Sequence, residues 1–187
     1  MSIPTPQAND GQISTGLPET FTHVTTHDPL TKKSIFHSSR PATWAAHSDQ
    51  MAFNLGYTTS TFPVDINEGR DIAAHDSIVA ENKLGLVNQG GTVLRTVDFA
   101  PGYECIQHRT QSLDYGIVLE GKVEAILDSG EKRVITRGDV IIQRGTMHSW
   151  KNASETEWAR MIFVLQEAKE IVVGGEVLGE ELREAAE

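Results

Sequence analysis

The stretch GDVIIQRGTMHSWKN, residues 138–152, decides the fold. A short apolar run ends at Gln143, Arg144-Gly145 makes a turn, and a second short run carries His148 and Trp150 before ending at Asn152. Brief runs rich in β-branched and aromatic residues, separated by a glycine turn, read as strands of an antiparallel sandwich or barrel. Residues two apart in a strand share a face, so His148 and Trp150 point the same way.

The same rhythm continues in both directions. Runs of strand character occur at TVLRTVDF (92–99), ECIQHRT (104–110), YGIVL (115–119), KVEAIL (122–127), KRVIT (132–136) and WARMIFVL (158–165). Between them lie Pro101-Gly102, Glu120-Gly121, Asp128-Ser129-Gly130, Arg137-Gly138 and Asn152-Ala153-Ser154. Strands this short and this regularly spaced predict an all-β sandwich or barrel. No repeat of solenoid length interrupts the pattern. The barrel is expected over residues 88–166.

The flanks differ in character. Residues 1–30, rich in Pro, Thr, Asn, Asp and Gly, are expected to be a flexible N-terminal arm. Residues 31–87 are expected to pack on the barrel as an extension, with a strand at 51–57 and a short helix within 67–84. Residues 167–187 hold seven acids against two bases, half of the chain's net charge of −10. They read as a solvated acidic tail or short helix.

A net charge of −10 in 187 residues argues against a nucleic-acid partner, which requires a basic face. No apolar run approaches the roughly 20 residues of a membrane span. The opening MSIPTPQANDGQ has neither a basic nor an apolar signal region, and Cys105 is the single cysteine. A soluble cytoplasmic protein with a small-molecule partner is expected.

Only two of the seven histidines, His108 and His148, fall inside the predicted barrel. Alternation places Glu104, Ile106, His108 and Thr110 on one face, and Tyr103, Cys105, Gln107 and Arg109 on the other. Cys105 then reads as a small buried residue pointing away from His108 rather than as a nucleophile.

The spacing of glycines and polar residues resembles the cupin superfamily. Its first motif is matched at Gly102, His108 and Gly121, with Thr110 in place of a second histidine and Asp114 in place of a glutamate. Its second motif is matched at Gly138, Gly145, His148 and Asn152, with Gln143 in place of a proline and a first spacer one residue short. The stretch 138–152 looks most like the small single-domain cupins of fungal natural-product clusters. The resemblance implies a cupin-type double-stranded β-helix, a jelly-roll barrel around a small-ligand cavity, and a homodimer.

In metal-binding cupins the two motifs supply three histidines and a glutamate. Residue-by-residue matching leaves His108, Asp114 and His148 as the candidate metal ligands. Two imidazoles and a carboxylate are the set of non-haem iron oxygenases, and zinc could use the same three with water. Aspartate is shorter than glutamate by about 1.5 Å, and threonine is a poor ligand, so either no cofactor or one divalent metal, Fe or Zn, is expected.

Without a metal, Asp114 would orient an imidazole of His108 or His148 that moves a proton near neutral pH. Trp150 and Ile106 would shape the pocket, with Thr110, Arg95 and Arg160 as substrate-binding candidates; an arginine there would hold a carboxylate or enolate. The expected function is a lyase-like step of secondary metabolism on a polyketide- or terpenoid-like molecule: decarboxylation, dehydration or a related elimination or isomerisation. The alternatives are an Fe(II)-dependent cupin oxygenase and a non-catalytic small-ligand-binding cupin.

Overall fold

A computed structural model of the chain describes residues 15–82 and 84–183. In chain order its strands are β1 (Phe21–His27), β2 (Ser34–Pro41), β3 (Trp44–Ala46), β4 (Met51–Thr59), β5 (Thr92–Phe99), β6 (Gln107–Arg109), β7 (Ser112–Glu120) and β8 (Lys122–Leu127). They continue with β9 (Lys132–Thr136), β10 (Val140–Arg144), β11 (His148–Asn152), β12 (Ala159–Glu167), β13 (Ile171–Val173), β14 (Glu176–Leu178) and β15 (Glu181–Arg183). One α-helix, α1 (Arg70–Glu81), joins β4 to the segment before β5.

Two sheets carry the architecture. One has six strands in the order β10-β7-β12-β5-β4-β3, the other five in the order β15-β6-β11-β8-β9. All the pairings within them are antiparallel. This is the jelly-roll arrangement that the strand rhythm predicts, with two facing sheets enclosing one core.

The period of two sorts the side chains. Val93, Val97 and Phe99 of β5 and Met161, Phe163 and Leu165 of β12 face inward, where they meet Val118, Val123, Ala125 and Trp150. Burying each of the larger side chains contributes about 1.5–3 kcal/mol. On the outward face of the same strands, Arg160 and Asp98 form a buried ion pair, and β4 receives α1 through Tyr57–Asp71 and Thr58–His75 hydrogen bonds.

Two flank expectations change. Residues 1–14 of the expected arm lie outside the described residues, but Phe21–His27 is a strand hairpinned to Ser34–Pro41. Of the expected C-terminal tail or helix, residues 184–187 lie outside the described residues, and 171–183 form strands instead. Ile171–Val173 and Glu176–Leu178 pair across Gly174-Gly175, whose φ values of 60° and 88° suit a two-residue hairpin turn. Glu181–Arg183 then adds to the edge of β6, with Leu182 opposite His108. The Arg109 guanidinium reaches the Gly179 carbonyl and the Glu181 carboxylate at 2.8 and 2.7 Å. Part of the acidity read as solubilising is therefore spent on an ion pair that fastens the chain's end to a histidine-bearing strand.

Candidate active site

The site is built where β6 and β11 run side by side. His108 and His148 are register partners, and their rings lie 4.4 Å apart, centre to centre. His148 is 3% exposed. Each Nδ1 sits beside a backbone carbonyl two residues earlier: Ile106 at 3.0 Å for His108, Thr146 at 2.8 Å for His148. A carbonyl only accepts, so each Nδ1 carries the hydrogen and each Nε2 keeps its lone pair. Burial holds both imidazoles below their ordinary value; for His148, with the neighbouring His108 ring adding to the effect, the value falls to about 4. Both rings are therefore neutral near pH 7.

A polar arc leads away from this pair. The Thr146 residue whose carbonyl fixes His148 donates its hydroxyl to Oε1 of Gln143. Gln143 on β10 is the register partner of Asp114 on β7. On the other side, Thr110, two residues past His108, shares a 2.8 Å hydrogen bond with the Ser112 hydroxyl. Ser112, Asp114 and Gly116 alternate inward along β7. Two loops thus gather His108, His148, Thr146, Gln143, Asp114, Ser112 and Thr110 at one end of the sandwich.

Asp114 is buried, its Oδ1 has no hydrogen-bond partner, and burial pushes its carboxyl up to about 6, the Ser112 hydroxyl only partly opposing. The Gln143 Nε2 is likewise buried and unpartnered. The walls are aromatic. Trp150 stands edge-on to His148 at 5.0 Å, and Phe163 lies 5.5 Å from Trp150.

Arg95 shares the inward face of β5 with Val93 and Val97 and is the register partner of Phe163. Its guanidinium lies 5.2 Å over the Phe53 ring and gives one hydrogen bond to the Gly85 carbonyl, but its buried Nε has no partner. Burial lowers its affinity for the proton, and no carboxylate among the described residues forms an ion pair with it.

Several sequence expectations move. Arg160 points away from the interior, where Asp98 and the Pro18 carbonyl take its donors and Trp44 stacks on it, so it is no substrate-binding group. Ile106 is 45% exposed and shapes no pocket. Strand geometry starts only at Gln107, so alternation does not carry back to Cys105. That thiol faces the core, where Sγ accepts the Trp150 N–H, and burial raises it to about 11. Thr110 and Trp150 do face inward. Asp114 does not orient an imidazole, since backbone carbonyls hold both.

Nor do His108, Asp114 and His148 converge as a ligand set. Among the described residues no three His, Cys, Asp or Glu side chains come close enough to hold a metal ion. With the polar arc spread this widely, His108, Asp114 and His148 do not fit a three-ligand metal centre. The sequence reading passed over Gln143 and Thr146. The available signal was parity: Gln143 is a polar residue on the inward phase of an apolar strand, two positions from Ile141.

Residues 95–165 match the cupin domain family. The chain is 45% identical over 158 residues to the phomopsin biosynthesis cluster protein D of Diaporthe leptostromiformis, covering 83% of this chain and 82% of that protein. It is 37% identical over 177 residues to the oryzines biosynthesis cluster protein J of Aspergillus oryzae, covering 89% and 93%. A cupin-domain-containing oxidoreductase of Aspergillus ruber, fogC, is 37% identical over 164 residues, covering 86% and 78%.

Proposed function

The chain belongs to the cupin family, and from that premise we propose that it is an enzyme of fungal secondary metabolism that performs a lyase-like proton transfer on a small organic acid. The observation that carries the reading is the His108–His148 pair, two neutral imidazoles whose Nε2 lone pairs are left bare at the polar end of the interior. The relatives named for biosynthesis clusters support the metabolic setting.

The roles follow from the chemistry. A bare Nε2, on His148 or His108, takes the proton from a carbon next to a carbonyl. Asp114, kept largely as the acid at mildly acidic pH by burial, gives its proton to the departing hydroxyl, so that water leaves and a double bond forms. In a decarboxylation the same acid protonates the carbanion left when CO2 departs. Arg95, a half-buried cation with no carboxylate partner among the described residues, anchors an anionic group of the substrate. Trp150 and Phe163 flank its apolar body.

A second reading, an oxidoreductase, is favoured by the names of relatives such as fogC. Turnover of carboxylated and hydroxylated polyketide-like acids under strict anaerobiosis separates the two. Product formed without oxygen, and lost in His148→Ala, supports the lyase. Oxygen-dependent turnover supports the oxidoreductase. Binding of the same acids with no turnover under either condition would mark a ligand-binding protein.

A further inference from the structure

Asp114 and Gln143 stand directly opposite each other on paired strands. Opposite residues of an antiparallel pair project to the same side with Cβ atoms about 4.5–5.5 Å apart. Here that side is the interior, where the two residues are 5% and 3% exposed. Each has one orphaned atom, Oδ1 of Asp114 and Nε2 of Gln143. An acceptor and a donor thus lie side by side without bonding to each other.

The amide is not free to turn and resolve this. The Thr146 hydroxyl holds Oε1 and so presents the NH2 end. Buried polar groups are nearly always paired, and those left unpaired ask for a reason. Beyond the pair the floor is apolar and flat. Leu165 is the next register partner of Asp114, and Gly116 lets the Phe163 ring lie close: a Cβ there would come within 3.0 Å of it and of Ile141.

We propose that Asp114 and Gln143 form a substrate-reading subsite for a planar group that carries a C=O and an O–H or N–H on one carbon, a carboxyl or a carboxamide. Gln143 donates to the carbonyl oxygen, and Asp114 shares a proton with the neighbouring O–H or N–H; on a carboxyl, that proton is the one Asp114 returns to the carbanion once CO2 departs. The apolar remainder lies on the Phe163 and Leu165 side. This deepens the reading of the interior as a substrate site and rests on it.

Four benzene-ring probes test the subsite at about pH 4, where benzoic acid keeps much of its proton: benzoic acid and benzamide, which have the donor–acceptor edge, and methyl benzoate and N,N-dimethylbenzamide, which keep the carbonyl but lack the donor. Affinities are measured by NMR titration of the full chain. The first two are expected to bind about ten-fold tighter than their blocked counterparts, the worth of one buried hydrogen bond. Gln143→Met should erase that preference with little change in the melting temperature. Gln143→Leu, a second apolar side chain of similar size, should erase it too, should Met disturb packing. His148→Ala should keep the preference while losing turnover. Equal binding of blocked and unblocked probes, or a preference that survives both Gln143 variants, would overturn the subsite and leave the histidine site standing. Failure of all four to bind folded protein would overturn both.

Discussion

Two faces of the six-stranded sheet treat charge in opposite ways. On the outward face, Arg160 of β12 and Asp98 of β5 are 3% and 1% exposed and fully engaged. Arg160 Nε and Nη2 reach the two carboxylate oxygens at 2.6 and 2.7 Å, Nη1 reaches the Pro18 carbonyl, and the Trp44 ring lies 4.8 Å from its guanidinium carbon. On the inward face, Arg95, Asp114 and Gln143 are each left with a buried atom that bonds to nothing. Burial costs the same on either side of a sheet, so the difference lies in what each face is for. The satisfied face ties the N-terminal segment to the barrel. The unsatisfied face leaves donors and acceptors unpaired at a cost in stability, which the proposed substrate site accounts for.

The largest effect is expected on the outward face. Arg160→Met leaves Asp98 buried and unpaired, and should cost about 3–5 kcal/mol in urea unfolding. The double variant Arg160→Met/Asp98→Leu should recover much of that loss. A single variant losing under about 1 kcal/mol would erase the contrast between the faces.

On the inward face the large effect is on turnover. His148→Ala should lower kcat/KM by about 100-fold or more while the fold is kept, as circular dichroism and the unfolding midpoint would show. The pH profile sharpens the assignment. Catalysis needs His148 unprotonated, hence pH above about 4, and Asp114 protonated, hence pH below about 6. Kcat/KM should be bell-shaped with limbs near those values, and Asp114→Asn should remove the alkaline limb together with most of the activity. A profile flat from pH 4 to 8 would remove Asp114 as the acid.

The smallest effect is expected at Gln143. Gln143→Met deletes an unsatisfied buried N–H together with the Thr146–Oε1 hydrogen bond, and should leave the stability within about 1 kcal/mol of the parent. Many core substitutions cost more.

Much of the fold was legible. The runs 92–99, 122–127 and 132–136 coincide with β5, β8 and β9, because turn residues bound each of them and tertiary context had little to override. The C-terminal hairpin was missed because the charge count outweighed the local pattern. IVV-GG-EVL is two β-branched runs around a glycine pair, a hairpin signature inside an acidic segment. Motif spacing singles out His108, His148 and Asp114 from the sequence. It does not give their grouping, since that depends on which sheet each strand joins. Arg95 could have been phased from Val93, Val97 and Phe99, which share its parity. The partnership of Arg160 with Asp98 could not, because it needs the register of β12 on β5. Cys105 is the small buried residue expected, but Ile106 faces solvent rather than a pocket, because alternation does not hold through a segment that is not a strand.

The claim that the inward polar groups are kept unsatisfied for a ligand is tested most directly by urea unfolding of Asp114→Asn against the parent across pH. Burial raises the Asp114 carboxyl from 3.8 to about 6 in the folded chain. Its folded form is therefore favoured below about pH 4, and that advantage is lost as pH rises through 6. Asparagine carries no such penalty. The variant should be more stable than the parent by about 3 kcal/mol at pH 7, with the gain vanishing below pH 4. A midpoint at pH 7 that falls, or a gain that does not change with pH, would mean that Asp114 is satisfied in the folded chain and that the inward face is built like the outward one.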